Sequence, residues 1–91
     1  PHLHQSKVES INKGVNEMED VQIYCGIDTK TGKLTGSSCR SDSPTYQGWA
    51  LVEMSTPNVR IEKMGVMQFV QKLNSDGFDV EKYISYLEEQ A

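Results

Sequence analysis

Apolar and polar residues alternate from Val21 to Asp28, with Ile23, Cys25 and Ile27 on one side and Tyr24 on the other. That period of two predicts a β-strand. Asp28-Thr29-Lys30-Thr31-Gly32-Lys33 follows as a hairpin turn in which Gly32 takes the positive backbone angle. Lys33 to Arg40 returns as a polar strand whose only strongly apolar residue is Leu34, the composition of a sheet edge. Ser41 to Gln47 reads as a polar entry loop. Gly48 to Met54, which holds the single tryptophan, reads as the central strand. Ser55-Thr56-Pro57-Asn58 then turns the chain back into Val59 to Met64. These segments predict a four-stranded antiparallel meander joined by short turns.

The period changes in the last third. Met64, Met67, Val70 and Leu73, with Phe69 beside them, fall at helical spacing, and Asn74-Ser75-Asp76-Gly77 supplies a glycine where helix C-caps favour one. Asp79 is placed to cap a second helix whose stripe is Val80, Tyr83, Ile84 and Leu87. Two short helices joined by a tight turn predict a C-terminal helical hairpin packed on the sheet, an α+β fold.

At the other end, residues 1–5 read as a tail and residues 6–91 as a single α+β domain. Val8, Ile11, Val15 and Met18 are compatible with one amphipathic helix over Lys7 to Asp20. Gly14 interrupts that pattern and favours a split: an extended piece to Asn12, a turn at Lys13-Gly14, and a short N-terminal helix starting from Asn16.

Ninety-one residues with 36% apolar content make one small core. A net charge of −4, with the basic residues scattered, argues against nucleic acid as a direct partner and is compatible with a basic protein surface. No apolar run reaches membrane-spanning length, so the expected setting is the cytoplasm, and the expected state a monomer with no membrane contact. Cys25 and Cys39 bracket the predicted hairpin, but a register set by Asp28 opposite Lys33 leaves them three positions out of step. A bulge at Gly36-Ser37-Ser38 would be needed to bridge them; two free thiols is the other reading.

Catalytic chemistry finds no support in the pattern. There is no phosphate loop, dinucleotide fingerprint or H-E-x-x-H motif, and both histidines, His2 and His4, fall in the tail. No cofactor and no metal are implied. By default the chain reads as a non-enzymatic binding protein.

One stretch points further. Ser41, Asp42, Pro44, Tyr46, Trp49, Ala50, Leu51 and Val52 agree with the pattern S-D-x-P-x-Y-x-x-W-A-L-V, which resembles the phage uracil-DNA glycosylase inhibitors. Glu9-Ser10-Ile11, and after a gap Glu17-Met18-Glu19-Asp20-Val21, look like that family's edge strand and acidic helix. The resemblance covers about half of the chain. It departs at Thr45, which stands where the family has an acid, and at polar Thr35-Gly36-Ser37-Ser38, where the family has apolar cavity residues. What it implies is a DNA mimic that binds the glycosylase as a protein partner. Glu9, Glu17, Asp20 and Asp42 would imitate phosphates, and Met18, Val21 and Val52 would line a cavity for an apolar side chain of the enzyme. Two rival expectations stand beside it: an interaction domain with another target that uses the helical hairpin from Val66 to Gln90, and a secreted domain bridged by Cys25 and Cys39.

Overall fold

A computed structural model of the chain describes Met18 and residues 20–90. The elements run β1 (Gln22–Asp28), β2 (Leu34–Arg40), α1 (Tyr46–Ser55), β3 (Val59–Gly65), α2 (Val66–Ser75) and α3 (Val80–Glu89). Among the described residues the sheet has three strands in the order β2-β1-β3, with β1 antiparallel to both neighbours. The fold is therefore α+β, but the four-stranded meander is overturned. Gly48 to Met54 is not a strand; it lies inside α1 and carries the chain from one edge of the sheet to the other. β1 is the central strand in its place.

The reasons are local. Ser43-Pro44 starts the helix: the Ser43 hydroxyl accepts from Thr45 N–H at 3.2 Å, and its carbonyl accepts from Tyr46 N–H at 3.2 Å. Ala50, Leu51, Glu53 and Met54 are strong helix formers. Ser55 and Thr56 bond back to the Leu51 and Val52 carbonyls, each at 2.8 Å, and Pro57 follows. Asn58 then takes a left-handed φ of 62°, which aims the chain into β3. There its carbonyl accepts from Thr29 N–H at 2.9 Å.

The β1–β2 turn is held as its sequence suggests. Asp28 Oδ1 accepts from Lys30 N–H at 2.8 Å, Gly32 N–H donates to the Asp28 carbonyl at 2.7 Å, and Gly32 has φ 76°. Beyond the turn the register steps. Ile27 faces Leu34, but Cys25 faces Ser38, so β2 carries two extra residues between those pairs. Cys39 thus lies opposite Tyr24, and the two cysteines sit on opposite faces of the sheet. Both are buried free thiols, which removes the Cys25–Cys39 bridge.

One face of the sheet carries the core. Ile23, Cys25 and Ile27 from β1 meet Leu34 and Met64, and α2 and α3 close over them with Val66, Phe69, Leu73, Ile84 and Leu87. Met18 is fully buried in the same cluster, and Val21 packs against it. The helical hairpin is present in part. α2 lies on β3 and β1 while α3 lies on β2, so the two helices spread across the sheet while keeping contact with each other. The stripe of α2 is Val66, Phe69 and Leu73, whereas Met67 is exposed and Met64 belongs to β3. Phe78 N–H donates to the Leu73 carbonyl at 2.9 Å and Gly77 N–H to the Asn74 carbonyl at 3.3 Å, a Schellman closure of α2. Asp79 then caps α3 by accepting from Lys82 N–H at 3.3 Å. The short N-terminal helix expected from Asn16 falls mostly outside the described residues; Met18 and Asp20 occupy a turn closed by Val21 N–H on the Met18 carbonyl at 3.0 Å.

Candidate functional site

α1 lies on the face of the sheet opposite the core. Tyr24 points to that side from β1, and its ring stands 4.6 Å from the ring of Tyr46, centroid to centroid. Trp49 follows at 6.4 Å from Tyr46 and donates its indole N–H to Ser37 Oγ at 2.7 Å, which ties the helix to β2. The Tyr24 hydroxyl, bonded to Tyr46, holds the Tyr46 phenol above its ordinary range. Glu53 is the only buried residue of α1. It lies over Gly26, where a methyl group would stand 3.1 Å from Glu53 Oε2 and 2.8 Å from Thr35 Oγ1. A side chain at this position would have to push aside the Thr35 hydroxyl of β2 and the end of the Glu53 side chain.

The outer side of α1 inverts the usual arrangement. Leu51, Val52 and Met54 are 64%, 65% and 68% exposed. Glu53 is the helix's only charged residue, so its outward surface presents no charge. Tyr46, Gln47, Ala50, Leu51 and Met54 line a shallow hollow of about 290 Å³ along it. A second hollow, about 220 Å³, opens on the other side of the molecule between Gly36, Lys82, Tyr83 and Tyr86.

The residues expected to bind a partner are dispersed. Glu9 and Glu17 lie outside the described residues. Asp20 is exposed. Asp42 is held by Arg40 in a two-pronged pair, Nε to Oδ1 at 2.8 Å and Nη2 to Oδ2 at 3.0 Å. The Arg40 bond holds the Asp42 carboxyl below the usual carboxylate range. Asp20 and Asp42 flank the same end of the β1–β2 ladder, where Ser41 N–H donates to the Gln22 carbonyl at 2.9 Å. Met18 and Val21 belong to the core on one face, whereas Val52 points outward from α1 on the other, so the three line no common cavity.

Among the described residues no cluster of histidine, cysteine, aspartate and glutamate could hold a metal ion, and no helix is long and apolar enough to cross a membrane. Burial pushes the Cys25 thiol up to about 12, far from a nucleophile's range. Two features are not visible in the sequence: Arg40 pairs with Asp42 from two positions away, and Leu51 and Met54, expected within a strand, stand exposed on a helix. The signal for α1 was the Ser43-Pro44 start followed by helix formers.

No family model, curated protein or solved structure matches this chain.

Proposed function

We propose that this domain is a non-enzymatic protein-binding module that takes its partner on the outer face of α1. The observation that carries the reading is the exposure of Leu51, Val52 and Met54, each at least 64%, on a helix with no outward charge. Large apolar side chains grouped in the open on one helix are a mark of a docking site, and a central apolar anchor supplies most of the binding energy where one exists. The partner is a protein that offers one apolar side chain to the hollow between Tyr46 and Met54 and an uncharged rim around it.

The experiment is affinity capture with the wild type and with Leu51→Lys/Met54→Lys, followed by direct binding of the recovered partner to both purified proteins. Loss of binding in the double variant, with an unchanged circular dichroism spectrum, supports the α1 face. Retained binding in that variant, with loss in Tyr86→Lys, assigns the docking to the hollow on α3 and overturns this reading.

The narrower reading, a DNA-mimicking inhibitor of a uracil-DNA glycosylase, is carried by the sequence resemblance at Ser41 to Val52. Its motif falls on the loop and helix that bear the proposed face. Undiminished glycosylase activity on uracil-containing DNA at a large molar excess of the protein rules it out.

A further inference from the structure

β2 stands at one edge of the three-stranded sheet, and side chains already occupy its outward backbone groups. Arg40 N–H donates to Gln90 Oε1 at 3.0 Å, and Gln90 Nε2 donates to the Ser38 carbonyl at 3.4 Å. One carboxamide thus fills both the donor and the acceptor that flank Cys39 on the side away from β1. These are the two groups that a neighbouring strand would engage. Arg40 Nη1 also donates to the Leu87 carbonyl at 3.4 Å, which holds the last turn of α3 beside the edge. At the far end of the strand, Leu34 N–H donates to Asp76 Oδ2 at 2.8 Å.

Beneath this cover the edge's own protection is the register step between Leu34 and Ser38, and from Ser38 to Arg40 the strand is regular. Leu34 to Cys39 contains no charge and no proline, and the one charged residue of β2, Arg40, is paired with Asp42. Natural edge strands usually carry lysine or proline to prevent pairing. The groups that Gln90 covers are also self-complementary: in two antiparallel copies related by a two-fold axis at Cys39, each Arg40 N–H meets the other Ser38 carbonyl. No like charges are brought together there.

We propose that Gln90 is an autoinhibitory plug on a strand-addition edge, and that withdrawing it lets β2 pair with β2 of a second copy. This surface is separate from the α1 face, so the two proposals stand or fall independently. The test is sedimentation equilibrium of the wild-type chain and Gln90→Ala over the same concentrations, with amide exchange followed at Arg40. Dimer affinity is expected to rise about tenfold in Gln90→Ala, the equivalent of exchanging one or two hydrogen bonds. The Arg40 amide should then become more protected as concentration rises. Should Gln90→Ala fail to fold, Gln90→Glu serves, since it keeps the acceptor for Arg40 N–H and loses the donor to Ser38. Identical mass for wild type and the folded variant at every concentration overturns the proposal. So does a dimer that disappears when Leu51→Lys/Met54→Lys is added, because that dimer forms through α1.

Discussion

On one face of the sheet, Phe69, Leu73, Ile84 and Leu87 reach down to Ile23, Cys25 and Ile27 and are withdrawn from water almost completely. On the other face, α1 lays an indole, a phenol and a carboxylate against Gly26, Thr35 and Ser37, and leaves Leu51, Val52 and Met54 outside. Both faces are covered by helices of ten residues, yet they are held by different forces. The core face depends on apolar burial, which is non-directional and scales with area. The α1 face depends on an aromatic row, one indole hydrogen bond and the close packing of the Glu53 and Thr35 side chains over Gly26. A helix fixed in that way is free to keep its apolar residues for another purpose.

The contrast can be broken most directly from the core side. Phe69→Ala removes a fully buried ring and is expected to destabilise the domain by about 3–5 kcal/mol, read from urea denaturation. A loss below about 1 kcal/mol would mean that α2 does not carry the core. Next comes the joint between α2 and β2. Asp76, whose side chain is only 8% exposed, accepts from Leu34 N–H and pairs with Lys72 at 3.4 Å. Asp76→Ala should cost about 1–3 kcal/mol, because it leaves the Leu34 N–H without its charged acceptor.

The same carboxylate makes stability depend on pH. The Leu34 N–H bond, with help from Lys72, holds the Asp76 carboxyl below its ordinary value, and Arg40 does the same for Asp42. A carboxyl lowered in the folded state stabilises fully above its unfolded pKa of about 3.9 and loses that contribution as pH falls through the folded value. Denaturation midpoints should therefore hold from pH 7 to pH 5 and fall below about pH 4. Asp76→Asn should flatten that fall more than Asp42→Asn does, since Asp42 is half exposed and its pair is screened.

The α1 face should give smaller effects. Gly26→Ala pushes a methyl group toward Thr35 Oγ1 and Glu53 and is expected to cost about 1–2 kcal/mol by thermal denaturation, with α1 displaced outward. Smallest of all, Leu51→Lys/Met54→Lys should change stability by no more than about 0.5 kcal/mol, because both side chains already stand in water. A large loss there would place those residues in the core after all and remove the distinction between the two faces.

Periodicity explains why one face was legible in the sequence and the other was not. β1 announces itself by the alternation of Ile23, Cys25 and Ile27, and α3 by the spacing of Ile84 and Leu87, because those residues are apolar and buried together. In α1 the relation is reversed: its one buried residue is an acid and three of its apolar residues are exposed. Trp49-Ala50-Leu51-Val52 is a short continuous apolar run bounded by turn residues, so a reading that equates apolar with buried places this segment in the sheet. Asp42 is a different case, because no pattern in the sequence announces its pairing. A carboxylate in a loop looks available to a partner, but the partner here is Arg40, two residues back and only 7% exposed. The size of the register step in β2, two residues where a direct Cys25–Cys39 pairing needs three, decides which face Cys39 occupies.

That last difference has a chemical consequence. With the sheet itself between Cys25 and Cys39, no rotation of either side chain brings the sulfurs together, and only breaking the β1–β2 ladder would do so. Within one chain, therefore, an oxidising solution and a reducing one leave Cys25 and Cys39 unlinked to each other. Cys25, kept as a neutral thiol by its burial, adds no reactivity of its own.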